Sequence, residues 1–320
     1  RIIQMSFKQF LTTSAALAFA ATTAFADEDQ QMNEAGISVD GYIGIEYENG
    51  RYGDFYTFED TSIIGNVLLS YKTNDWTIGI GKELDEDLEN NETFSRDAYF
   101  LISNGQLTLT YGRTYDAGNL FADDFSTMSD LSTITDVARL DWELASNHHL
   151  AVSYDLDDDD KDLKFGYQGE LKNIGAIPKL ILVGALMFEG DDSWRSDEGA
   201  FAVTAEFDKF ALQVAYHSED PFRSDDDNPD EDYLIGLYRW VSDNMMIGGT
   251  IELDEDLNRQ KDYGLFVNYN MNNGSQYRFE YTREFDTTEL EIGLIIPFGK
   301  QPAAGPRQWA REFQPYFTDF

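Results

Sequence analysis

The chain has 320 residues, 60 Asp and Glu against 23 Lys and Arg, a formal net charge of −37 and no cysteine. Such a charge excludes nucleic acid as a partner, because phosphate recognition needs clusters of Lys and Arg. The missing cysteines exclude disulfides and thiolate metal sites, and 23 Phe with 18 Tyr are too many for an acidic disordered protein.

The first element in chain order reads as an export leader over 1–26. Lys8 supplies a short basic region, an Ala-rich apolar stretch follows, and Ala24-Phe25-Ala26 has the small-x-small form of a cleavage site. Arg1 to Gln4 then lie upstream of the start at Met5, and the exported part begins at Asp27. Mean hydropathy is −0.44, and beyond residue 26 no apolar run approaches the roughly 18 residues of a membrane helix. Membrane barrels alternate apolar and polar residues, however, and escape that test.

From Ile37 the same unit recurs: eight to eleven alternating residues, then a turn. Strands are predicted near 37–47, 63–72, 76–83, 96–103, 106–113, 136–144, 149–155 and 161–171. They continue near 179–188, 199–207, 210–218, 232–240, 245–253, 262–270, 277–285 and 289–298. That is about sixteen, of the length a tilted strand needs to cross a bilayer, and no segment reads as a helix. Connections alternate short and long. Short ones at 73–75, 104–105, 146–147, 208–209, 242–244 and 270–275 carry Asn, Asp, Gly and Ser. Long ones at 48–62, 84–95, 156–160, 189–198, 219–231 and 254–261 carry most of the acid. In an up-and-down meander all long connections share one end, as they do in outer-membrane barrels, where that end is extracellular. A β-propeller would repeat a motif every 40–50 residues or so, and the sequence has no such repeat.

The strand faces agree. Tyr277, Phe279, Tyr281 and Phe285 oppose Arg278, Glu280, Thr282 and Glu284; Ala138, Leu140, Trp142 and Leu144 oppose Arg139, Asp141 and Glu143; Leu163, Phe165, Tyr167 and Leu171 oppose Lys164, Gln168 and Glu170. A lumen of about sixteen strands is too wide for side chains to fill. The apolar faces are therefore expected outward, with charges lining water. Tyr47, Tyr71, Trp76, Tyr154, Tyr216, Trp240 and Tyr269 fall at strand ends, as an interfacial girdle would.

One connection is unlike the rest. "DAYFLISNGQLTLTYGRTYDAGNLF", residues 97–121, leads into a stretch without periodicity that ends near Thr135. A loop of that length in a compact domain is functional or is evidence against the assignment. The aromatic strand, Gly turn, alternating Leu/Thr, Gly-Arg and acidic loop resemble the approach to the constriction loop of general diffusion porins from Gram-negative outer membranes. The likeness in architecture extends over about 37–298.

The resemblance implies an all-β transmembrane antiparallel barrel over 27–298, whose third extracellular connection, 114–135, folds into the pore. It implies an eyelet where loop carboxylates face wall bases, with Asp116, Asp123, Asp124 and Asp130 as the acids and Arg113, Arg139, Arg278, Lys164 and Lys72 as the bases. Strict alternation puts Arg113 on the apolar face, and only a bulge or the strand's end would turn it inward. Asp141 and Glu280 offset part of the wall charge, so cation preference is expected. A homotrimer in outer-membrane lipid, touching lipopolysaccharide and passing ions and small hydrophilic solutes, completes the implied picture. The "PEFGG" motif of some porins is absent.

Enzyme chemistry is not expected. His148 and His149 fall in a predicted turn, and His217 ends a strand with no partner visible in the sequence. No cofactor is expected; the acidic outer connections are candidates for Ca²⁺ or Mg²⁺, although none has EF-hand spacing. The alternating "ELEIGLIIPF", 289–298, resembles a terminal assembly strand, and 299–320 is expected to be a periplasmic tail. Two alternatives stand beside the diffusion porin: a channel selective for a sugar or dicarboxylate, and a secreted β-rich adhesin.

Overall fold

A computed structural model describes residues 36–52, 56–73, 75–87, 98–118, 134–145, 147–156, 162–188, 196–219, 231–253, 260–271, 275–284 and 287–298. Among them lie sixteen strands: β1 Gly36–Tyr52, β2 Tyr56–Lys72, β3 Thr77–Asp87, β4 Tyr99–Ser103, β5 Leu107–Tyr115, β6 Ile134–Ala145, β7 His148–Asp155 and β8 Leu163–Ile174, then β9 Ile177–Phe188, β10 Ser196–Glu206, β11 Phe210–Glu219, β12 Glu231–Ser242, β13 Met245–Leu253, β14 Gln260–Asn270, β15 Gln276–Glu284 and β16 Thr287–Phe298. Each pairs antiparallel with its sequence neighbours, and β1 pairs with β16 from Gly41↔Phe298 to Tyr52↔Thr287, which closes the barrel. Closure leaves no edge with unpaired backbone groups.

Alternation then sorts every side chain. Outward-facing Leu69, Ile80, Leu109, Tyr111, Phe201, Leu237 and Leu265 are 48–61% exposed. Their inward neighbours Ser70, Thr108, Thr110, Ala202 and Tyr238 are buried. The outer surface is thus an apolar belt, opposite to the arrangement of a water-soluble barrel.

Three expectations need correction. The first acidic connection is not a loop over 48–62: β1 and β2 continue through it, paired from Gly36↔Lys72 out to Tyr52↔Tyr56. Backbone ladder bonds need no apolar side chains, and Tyr47 donates to Glu59 Oε1 at 2.9 Å across this hairpin. His148 and His149 begin β7 rather than occupying a turn, because a register shift between Glu143 and Ala145 extends the pairing to Ala145↔His148. The last connection on the acidic end is brief, as strands near 277–285 and 289–298 imply, with β15 stopping at Glu284 and β16 starting at Thr287.

Finally, charges do not line the whole inner wall. Val183, Ala185, Ala200, Ala202, Ala215 and Leu234 form one buried cluster inside, and Ile181, Ala211, Tyr238 and Met246 form another, both on β9–β13. Across the middle of these strands both faces are apolar, so alternation of polarity could not mark the inner one there. Four of the six acidic connections (156–160, 189–198, 219–231 and 254–261) and part of 84–95 fall largely outside the described residues, as do the leader and the tail.

Close backbone approach fixes one glycine beside the third connection. Gly112 has φ 118, and a Cβ there would meet Ala98 O at 2.4 Å and Tyr99 Cα at 2.9 Å. Gly112→Ala should destabilise the barrel by about 1–3 kcal/mol. Gly184→Ala, whose Cβ would stand 3.4 Å from Ala200 O, should be neutral or stabilising by up to about 1 kcal/mol. Urea midpoints of the two refolded variants make the comparison; equal losses would refute the steric argument.

Candidate functional site

The third connection leaves β5 at Tyr115 and immediately turns to the inner wall. Asp116, Ala117 and Gly118 are all buried. Lys164 Nζ on β8 donates to Asp116 Oδ2 at 2.7 Å, and Gly118 N donates to Asp116 Oδ1 at 2.9 Å. Arg139 Nη1 on β6 donates to the Asp116 backbone oxygen at 2.7 Å. Ser153 Oγ on β7 accepts from Ala117 N at 2.8 Å, while Ala117 packs on Ala151. The returning end is pinned as well, by Thr135 Oγ1 donating to both oxygens of Asp155 at 2.9 and 3.1 Å. The course of 119–133 lies outside the described residues.

Parity explains why these groups meet. Arg139, Asp141, Ala151, Ser153 and Lys164 are every-second residues of β6, β7 and β8, with Asp141 opposite Ala151 and Arg139 opposite Ser153. Arg139, fully buried, engages Asp141 through Nε and Nη2, with contacts of 2.7–3.1 Å. His149 Nε2 stands 3.1 Å from Asp141 Oδ1. Four charges of alternating sign, with an imidazole at the end, thus run along the wall. Sharing of this kind is what lets charges persist in a buried site.

The predicted site residues therefore divide. Asp116, Arg139 and Lys164 come together. Arg278 lies on the inner face of β15 and is engaged by Glu280, through Nη2 and, at 2.8 Å, through Nε. Arg113 keeps the outward parity of Leu107, Leu109 and Tyr111, opposite Asp136 on β6, so no bulge turns it inward. Lys72 is exposed at the end of β2, beside the short turn before Thr77, far along the strand from the acidic end. Asp123, Asp124 and Asp130 lie outside the described residues.

Sequence reasoning missed His149, Ser153 and the partner of His217. His217 Nε2 on β11 stands 2.6 Å from Glu198 Oε1 on β10, both on the inner face. Cross-strand diagonals depend on register, which alternation alone does not give. Among the described residues no group of three or more His, Cys, Asp or Glu is arranged to hold a metal ion.

Further charge lines the wall. Lys179 contacts Glu206 at 3.1 Å and Glu170 at 3.5 Å. Around the closing seam Glu280 stands opposite Glu291, and Glu291 opposite Glu48; on β13 and β14, Glu252 stands opposite Asp262.

No family model matches the sequence, and no curated protein matches it. Solved structures do. A mutant of the Rh. blastica porin superposes with a TM-score of 0.57 at 14% identity, covering 82% of this chain and 100% of that one. A loop-deletion mutant of OmpT, an outer membrane protein of Vibrio cholerae, gives 0.57 at 12%, covering 82% and 99%. A structure described as an engineered protein of asymmetric conductivity gives 0.58 at 13%, covering 82% and 100%. The fold is that of porin barrels.

Lys164→Met should destabilise the barrel by about 3–5 kcal/mol, because it leaves the Asp116 carboxylate buried without its cation. Asp116→Asn combined with Lys164→Met should recover part of that loss. Urea unfolding of the single and double variants measures the coupling, and identical losses would mean that the pair has none.

Proposed function

We propose that this chain is an outer-membrane porin: a water-filled, cation-preferring channel through which small hydrophilic solutes diffuse. One observation carries the reading, the inverted polarity of the wall. Apolar side chains exposed around a closed barrel suit lipid, and an inner wall that holds the buried charges suits water. The likeness to porin barrels agrees with it. An export leader, a homotrimer and contact with lipopolysaccharide belong to the same proposal and rest on the sequence and the family resemblance. Divalent cations at the acidic connections are a subsidiary part of it.

Cation preference is supported by how the inner bases are used. Arg139 is held by Asp141, Lys164 by Asp116, Arg278 by Glu280 and Lys179 by Glu206. Each of these bases has a wall carboxylate, and further carboxylates meet in register, Glu291 opposite Glu280 and Glu48, and Glu252 opposite Asp262. Loop acids Asp123, Asp124 and Asp130 would add to this field as eyelet residues. Mouth charge is screened over a Debye length of ~8 Å at physiological salt, and partly buried wall charge less.

The reversal potential of purified protein in a planar bilayer under a KCl gradient tests the proposal. Ohmic steps with a potassium-selective potential are expected, and Arg278→Gln should raise the selectivity. A chloride-selective pore would overturn the cation reading, and saturable block by one sugar would favour a substrate-selective channel.

A further inference from the structure

We propose that His149 and His217 set the ion preference of the lumen, as two proton-dependent charges on the inner wall. The inference rests on the channel reading above and adds the residues that regulate it. The chain has three histidines, and the barrel divides them by parity. His148 points outward, its Nδ1 2.8 Å from Tyr167 OH. His149 and His217 point inward, buried, each with Nε2 against a wall carboxylate: Asp141 at 3.1 Å and Glu198 at 2.6 Å. They lie on different ends of the wall. His149 is one residue from the start of β7, beside the short turns, while His217 stands near the acidic end of β11.

Charged groups face each imidazole from both neighbouring strands. His149 has Glu143 opposite on β6 and Gln168 opposite on β8, with Glu170 two residues further along β8. Arg139 lies beyond Asp141, which its guanidinium grips, and Glu170 is shared with Lys172 and Lys179. His217 has Asp232 opposite on β12 and Ala200 opposite on β10, diagonal to Glu198. Each imidazole therefore has a carboxylate as its nearest charged neighbour, Asp141 for His149 and Glu198 for His217.

Imidazole is the ordinary side chain whose charge changes between about pH 5 and pH 8. With both rings neutral, the wall keeps its full negative field. Each proton gained removes one unit of net negative charge from the inner wall, where buried charge is screened less than in open water. That should lower the potassium-to-chloride permeability ratio by about twofold per imidazole. The preference therefore falls as the medium acidifies, before the carboxylates themselves titrate.

The experiment is the reversal potential in a fixed KCl gradient at pH values from about 7.5 to about 5, on wild type, His148→Gln, and His149→Gln combined with His217→Gln. Refolding of each is checked by heat-modifiable migration. Wild type and His148→Gln should lose selectivity about fourfold over this range, and the double variant should stay nearly flat. A double variant with the wild-type pH step would overturn the proposal. A wild-type protein that does not conduct would defeat the channel reading separately. In that event imidazole NMR on the refolded wild type still decides: His149 and His217 should titrate within the range and shift when Asp141→Asn or Glu198→Gln is introduced. Two rings that keep one protonation state throughout would overturn the proposal.

Discussion

Everything in this structure depends on the twelve-pair ladder between β1 and β16. A sheet with an apolar outer face has no water there to satisfy its backbone groups, so each N–H and C=O must bond within the sheet. An open edge would leave a full strand of such groups unmatched. Closure removes the edge and at the same time fixes which residues face inward. The site follows from that choice, because its members are separated by up to 48 residues in sequence, as Asp116 and Lys164 are.

The inner wall is not uniform. Strands β6 and β8 present the charges that meet Asp116, while the middle of β9–β13 presents small and apolar side chains that bury one another, with charge kept toward the strand ends at Lys179, Glu206, Glu198 and His217. The third connection starts at the charged sector, where Asp116 and Ala117 are held by β6, β7 and β8 together and Gly118 bonds back to Asp116. Three strands acting on two consecutive residues constrain that start far more than one ion pair would. Geometry, rather than the strength of any single contact, gives a buried network its specificity.

The wall bases are the more informative half of the charge pattern. A lone arginine in a lumen would attract anions, yet Arg139 and Arg278 each bind the carboxylate two residues on, Asp141 and Glu280. The i, i+2 spacing on a strand keeps both groups on one face, so pairing is built into each strand before any neighbour arrives. These pairs are legible in the sequence. The imidazoles differ: His149 reaches Asp141 and His217 reaches Glu198 only across strands.

The sequence by itself determined the strand count's scale, the all-β class, the two unequal ends and, on β6, β8 and β15, which face carries charge. All of these are period-2 properties of single segments. It also marked Asp116, Arg139 and Lys164 as candidates. It could not determine register, and so missed Ser153, the partner of His217 and the continuation of β1 and β2 to Tyr52↔Tyr56. It also misread β9–β13, where Ala, Val and Leu occupy both faces and polarity carries no phase. Only the closed sheet decided which of those faces is inside. A one-residue slip would exchange them at no cost visible in any single strand, and the pairing with neighbours on both sides forbids it.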